Sequence, residues 1–207
     1  MKFSKAVDIV GNEPVFETGL LLSGDINPLD LKRQLSRWKK AGRVHQLRRG
    51  LYTLAPPFRK SKPHPFVIAN RLARGSYVSL HSALAYYGHI PEYVAVVTSV
   101  TTLRPGTYNT PLGIYSFRHI KSSLFFGVSH VEVLKNQFAF VASAEKALFD
   151  LLYLIPESES ADYIEELRLQ NLDQMDWSEF VKIVEKSGCL KLQKALKSLT
   201  KIFTIEL

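Results

Sequence analysis

Nine residues between positions 32 and 49 carry side chains suited to gripping a polyanion: Lys32, Arg33, Ser36, Arg37, Lys39, Lys40, Arg43, Arg48 and Arg49. An arginine fork can place two parallel hydrogen bonds on a guanine edge or a phosphate, a lysine acts as a point charge, and a serine hydroxyl serves either role. Spacing divides the set. At about 100° per residue, Arg33, Ser36 and Lys40 project to one side of a helix, with Lys32 and Arg37 on the flanks. Leu31, Leu35 and Trp38 recur on the other side as a buried stripe. Arg33, Ser36 and Arg37, with Lys32 beside them, are therefore expected to read base edges in a DNA major groove. Lys39, Lys40 and Arg43 come late in the helix or beyond it and suit backbone phosphates. Arg48 and Arg49 sit where two short strands turn, and are expected to reach an adjacent minor groove or its phosphates. Tyr52 has two readings, a hydroxyl on a phosphate or a ring packed beneath the hairpin.

Other chemistry finds little support. The histidines, His45, His64, His81, His89, His119 and His130, show no HxxxH or HExxH spacing, and Cys189 is the only cysteine. No metal, cofactor or catalytic residue is expected on this basis. Ser79 and His81 are two apart, which suits capping and packing better than a nucleophile–base pair. A nuclease would draw on Glu145 and Asp150, but five residues on a helix separate them by about 140°, poor geometry for one shared metal. Glu145 is better placed to serve a helix N-terminus. A third class is an adaptor whose second domain binds a protein or small effector, with Tyr86, Tyr87, Phe125 and Phe126 as its surface.

The elements that must position the basic residues are legible around them. Asn27 can cap a helix, Pro28 suits its first position, Asp30 favours the first turn, and Gly42 supplies a left-handed stop. Strands 44–47 and 51–54 then flank Arg48, Arg49 and Gly50, a hairpin signal. Upstream, residues 3–10 and 15–22 predict two helices, with a turn at Ser23, Gly24 and Asp25. Helix, helix, turn, helix and hairpin within 1–55 is the order of a winged helix-turn-helix. The bland alternative is a small helical domain with a solvated basic face. Pro56, Pro57, Pro63 and Pro65 mark 56–65 as a stiff basic linker. From 66 to 207 a mixed α/β domain with a helical tail is expected: helices at 66–73 and 80–88, strands at 93–102, 114–120, 130–134 and 138–142, and a helix at 143–154 capped by Ser143. Ala147, Leu148, Leu151 and Leu152 form that helix's core face. Further helices follow near 160–170, 176–187 and 189–200. The fold class is thus α+β.

Charge follows the same division. The net charge is +8 over 207 residues, but positions 1–74 carry +10 and positions 75–207 carry −2. The cationic excess lies wholly in the N-terminal third, which favours a polyanion-binding module there over a generally basic protein. A single cysteine, no apolar run of bilayer length and no signal peptide point to the cytoplasm, and no membrane partner is expected.

The stretches YVSLHSALAYYGHIPE, VVTSVTT, GIYSFRHI and ASAEKALFDLLYL, in that order behind an RRGLYTL hairpin, resemble the AbiEi-type antitoxins of type IV toxin–antitoxin (abortive infection) systems. The likeness covers most of residues 1–155. It implies a repressor that regulates its own operon by binding inverted repeats in double-stranded DNA through the winged helix, which requires two copies of the chain, dimeric in solution or paired on the DNA. It also implies a C-terminal antitoxin domain that counteracts a nucleotidyltransferase-like toxin without a stable complex.

Overall fold

A computed structural model describes residues 1–22, 26–92 and 94–204 and has an α+β architecture. The predicted turn at Ser23, Gly24 and Asp25, and Tyr93 at the start of the predicted strand 93–102, lie outside the described residues. The N-terminal part runs α1 (Phe3–Val10), β1 (Phe16–Glu17), α2 (Thr18–Leu21), α3 (Pro28–Lys40), β2 (Val44–Arg48) and β3 (Leu51–Leu54). It is followed by α4 (Pro65–Leu72), β4 (Ser76–Val78), α5 (Leu80–Tyr86), β5 (Val96–Thr101), β6 (Gly106–Thr110), β7 (Gly113–His119), β8 (Val128–Leu134) and β9 (Gln137–Ala142). Four helices close the chain: α6 (Ala144–Leu154), α7 (Ala161–Glu166), α8 (Trp177–Ser187) and α9 (Leu190–Phe203).

The expected helix over 15–22 is corrected. Its first half is strand β1, pairing antiparallel with β3 through Phe16–Tyr52 and Glu17–Leu51, and only one helical turn, α2, remains. Phe16 stacks on Tyr52 with ring centroids 5.9 Å apart. A short apolar run does not distinguish helix from strand, and cross-strand aromatic packing decides this one. The small sheet thus has the order β1-β3-β2.

The larger sheet has six strands in the order β6-β7-β5-β4-β9-β8 and is mixed, with β5–β7 and β4–β9 parallel and the remaining pairs antiparallel. Two of its strands have no counterpart in the sequence reading. β4 is only three residues long, buried throughout, and β6 is a polar edge strand, so neither shows a usable alternation. The β8–β9 turn falls at Asn136, at φ +59°, as its position between two alternating runs suggested.

β4 and β9 share only one paired position, Val78 with Val141. Asn70 of α4 extends that seam: its side-chain oxygen accepts from the Phe140 amide at 2.7 Å, and its amide donates to the carbonyls of Ser76 at 3.2 Å and Phe140 at 3.5 Å. Asn70→Ala should therefore cost about 1–2 kcal/mol in urea unfolding, the lower part of the usual range because water reaches the Phe140 side. Asn70→Asp, which keeps the acceptor but sets a carboxylate oxygen against the Ser76 and Phe140 carbonyls, should lose at least as much.

The second half of the basic, proline-rich stretch 56–65 is tied to the second sheet. Gln137 donates to Ser61 Oγ at 3.0 Å and to the Lys62 carbonyl at 2.8 Å, while its own carbonyl accepts from the His64 amide at 2.8 Å. His64 then caps α4, its Nδ1 accepting from the Phe66 amide at 3.2 Å, and burial pushes its pKa down, which keeps that nitrogen free to accept.

Two hydrophobic clusters result. One gathers Ala6, Val10, Phe16, Leu21, Leu31, Leu35, Trp38, Val44, Tyr52 and Leu54. The other is built on α4–α6, the six-stranded sheet and the C-terminal helices, and it also takes in Val15, Leu47 and Leu51 from the N-terminal part. Strand β3 therefore serves both, Leu51 facing one and Tyr52 and Leu54 the other.

Helix α6 lies at the centre of the larger cluster. Ser143 caps it, accepting from the Lys146 amide at 3.2 Å, and Ala147, Leu148, Leu151 and Leu152 are fully buried. So are Lys146 and Asp150, at 1% and 0% exposure. The two form an ion pair, and Asp150 Oδ2 accepts from Ser79 Oγ at 2.7 Å and Tyr77 Oη at 2.9 Å. Ser79 is thus engaged with Asp150 and makes no side-chain cap to α5, contrary to expectation. Burial pushes the Asp150 pKa up and the Lys146 pKa down, and their contact opposes both shifts. Gly127, at φ +66°, passes so close that a Cβ there would meet the Lys146 side chain at 3.0 Å. No helix among the described residues is long and apolar enough to cross a membrane.

Candidate nucleic-acid interface

Helix α3 starts and stops as its sequence dictates. The Asn27 side chain accepts from the Leu29 amide at 2.9 Å, Pro28 occupies the first turn, and Asp30 lies near the positive end of the dipole. At the far end Gly42, at φ +66°, donates to the Lys39 carbonyl at 3.0 Å, and Arg43 donates to the Trp38 carbonyl at 2.9 Å. That pair of bonds is a Schellman stop, which needs a residue comfortable at positive φ. Leu31, Leu35 and Trp38 are buried, so the helix is fixed on its apolar face and cannot rotate its outer face away.

The outer face carries Lys32, Arg33, Ser36, Arg37, Lys39 and Lys40, all exposed. Between Lys32 and Lys40 the cations span about 12 Å of helix. Asp30 is the one acidic residue of α3, and Arg33 donates to it at 3.3 Å in a solvent-exposed pair. Such a pair is worth little in water and is readily exchanged for a phosphate or base. Leu29, Lys32, Arg33, Ser36 and Arg37 line a shallow open depression of about 480 Å³.

The remaining basic residues are held differently. Lys39 donates to Gln46 Oε1 at 2.9 Å, and Gln46 in turn donates to the Tyr52 hydroxyl at 3.4 Å. Arg43 is exposed and lies over the Phe3 ring, 5.2 Å from its centroid. Arg49 is exposed at the hairpin turn. Arg48 departs from the expectation of a free tip: its guanidinium donates to the Arg49 carbonyl at 3.1 Å and the Arg71 carbonyl at 3.3 Å, pinning the hairpin to the end of α4. A second tie, Arg74 to both carboxylate oxygens of Glu17 at 2.6 and 2.7 Å, holds the same junction. Tyr52 resolves as a packing residue, 9% exposed, with burial raising its pKa.

No family model and no curated protein matches the sequence. Among solved structures, the crystal structure of RV2827C protein from Mycobacterium tuberculosis is similar over 94% of this chain and 80% of that one, at 14% identity and a TM-score of 0.49. That distance carries no function across.

The two carboxylates weighed for a nuclease are not brought together. Asp150 is sealed in the core, and Glu145 accepts from the Asp176 amide at 2.9 Å at the start of α8. Among the described residues no group of three His, Cys, Asp or Glu side chains could hold a metal ion. The aromatic surface also shifts from where the sequence put it. Of the four named aromatics only Tyr86 is exposed, at 40%, while Tyr87, Phe125 and Phe126 pack against the larger cluster. Phe138 and Phe140, at 48% and 50%, are the prominent exposed rings. Their alternation with buried Gln137, Ala139 and Val141 was visible in the sequence, but which face met solvent was not.

Proposed function

We propose that this protein is a DNA-binding transcriptional repressor and antitoxin of a type IV toxin–antitoxin operon, and that its N-terminal part is a winged helix-turn-helix. One observation carries the DNA half: α3 buries Leu31, Leu35 and Trp38 and turns Lys32, Arg33, Ser36, Arg37, Lys39 and Lys40 outward. The order α1, α2, α3, then a hairpin joined by β1, supports the winged-helix reading. In this reading Arg33, Ser36 and Arg37, flanked by Lys32, enter the major groove. Lys39, Lys40, Arg43 and Arg49 take phosphates. Arg48 positions the hairpin and does not touch DNA.

The antitoxin half is supported by the sequence resemblance, as are the nucleotidyltransferase-like toxin as functional partner and binding to inverted repeats by two copies; a cytoplasmic setting is supported by the single cysteine. Co-expression of the full chain with a neighbouring nucleotidyltransferase-like reading frame tests it, growth rescue supporting the reading and continued arrest opposing it.

The DNA half is tested by selecting preferred duplexes from a randomised pool. Arg33→Ala and Arg37→Ala should each relax preference at the contacted base by about 1–3 kcal/mol. Lys40→Ala should weaken all duplexes alike. Equal loss of specificity in both sets would remove the division between groove and phosphate contacts.

A further inference from the structure

A cavity of about 470 Å³ opens between the end of α4 and the β8–β9 hairpin, remote in sequence from α3. This is the size range of nucleotide and small-molecule sites. Tyr77 and Phe125 line it, their rings edge to face at 4.9 Å. His130, Phe138 and Phe140 line it as well. His130 sits opposite Phe140 in the β8–β9 register. Its ring lies 4.8 Å from Phe140 and 5.2 Å from Phe138, nearly parallel to the latter at 24°. The three rings form one aromatic cluster that is exposed to water, with Phe138 and Phe140 at 48% and 50% exposure.

The other wall is cationic. Arg71 at the end of α4 and Arg74 in the turn that follows line it, and none of the lining residues is acidic. Arg74 is paired with Glu17, whereas Arg71 is exposed and has no ion pair among the described residues. The guanidinium of Arg48 abuts the same corner through the Arg71 carbonyl, and its Nε is buried without a hydrogen-bond partner. Rings that offer flat faces, beside an unpaired arginine, suit a base with its phosphate.

We propose that this cavity holds an unpaired nucleotide of a single-stranded nucleic acid, with the base stacked on His130, Phe138 and Phe140 and the phosphate on Arg71. Two ring positions at i and i+2 on one strand provide successive stacking faces, the device by which sheet surfaces bind splayed bases. A duplex keeps its bases stacked and cannot use them. A free nucleotide is disfavoured because its dianionic phosphate would rest on Arg71 in the last turn of α4 with no glycine-rich amide cradle beside it, and it lacks the neighbouring bases and phosphates that a strand adds along the two ring positions. This inference is independent of the α3 reading and uses none of its residues.

The test is fluorescence anisotropy of the full chain with labelled 12-nucleotide oligouridylate and oligothymidylate, beside a duplex and free UMP. Single strands should bind, and Phe138→Ala with Phe140→Ala should weaken them by about tenfold or more. Arg71→Ala should weaken them and lower the salt dependence by about one ion. Duplex binding should be unchanged in these variants. Phe138→Trp with Phe140→Trp, which retains flat rings, should keep strand affinity and so separates stacking from folding. Absent strand binding, strand affinity unchanged by the alanine pair, or UMP bound as tightly as the 12-mer would each overturn the proposal.

Discussion

Asp150→Ala is expected to lower the stability of the whole protein by about 3–5 kcal/mol, read as a fall in the denaturant midpoint. Asp150 is 0% exposed and accepts from Tyr77, Ser79 and Lys146 together. Removing it leaves the Lys146 ammonium in the core, 4.6 Å from the Phe149 centroid and 4.8 Å from that of Phe126. Those ring faces attract a cation but do not replace a carboxylate. The loss is a large share of the roughly 5–15 kcal/mol that holds a domain folded. The cost comes from the stranded charge and the two hydroxyls left without an acceptor. Lys146→Met combined with Asp150→Asn removes both charges and keeps an oxygen for Tyr77 and Ser79, so it should recover most of the loss. A double variant as unstable as Asp150→Ala would show that the ion pair itself, and not the unpaired lysine, sets the penalty.

Affinity for duplex DNA is expected to fall by roughly 10³ between 50 and 200 mM salt if about six phosphates are neutralised. The supply of cations is sufficient, because Lys32, Arg33, Arg37, Lys39, Lys40, Arg43 and Arg49 are all exposed on or beside α3. Single substitutions refine the expectation. Arg49→Ala should reduce the slope of log affinity against log salt by about one ion, whereas Arg48→Ala should leave it unchanged, since that guanidinium is bonded to two carbonyls. A flat salt response in anisotropy titrations would remove α3 as a phosphate-binding surface. A lowered slope in Arg48→Ala would restore it to the contact set.

The parts of this molecule that were legible in sequence are those governed by local rules. Asn27, Pro28 and Gly42 bracket α3, Ser143 starts α6, and Leu31, Leu35 and Trp38 define a buried stripe, each through interactions within a few residues. What escaped depends on distant partners. Lys146 and Asp150, four apart on a helix, have the spacing of an ordinary surface pair. Only the approach of Tyr77, Ser79 and Gly127 makes them a buried knot. β4 was hidden by its brevity, and β6 by its polar residues. Arg48 reads as a free tip residue until α4 is placed beside it, and Phe138 and Phe140 read equally well as core. The outer face of α3 was legible as an arrangement of charge, because an amphipathic helix announces which side it buries.

Strand β3 acts as a dowel between the two cores. Cutting the chain anywhere within 55–64 would leave Val15, Leu47 and Leu51 on one fragment and the apolar side chains they pack against on the other. Each piece would then bring bare hydrophobic surface into any assay, and a fragment's failure to bind or to rescue would report on its solubility before its role. Separating the duties of this chain is accordingly work for point substitutions on the intact protein, with scissors kept away from the seam.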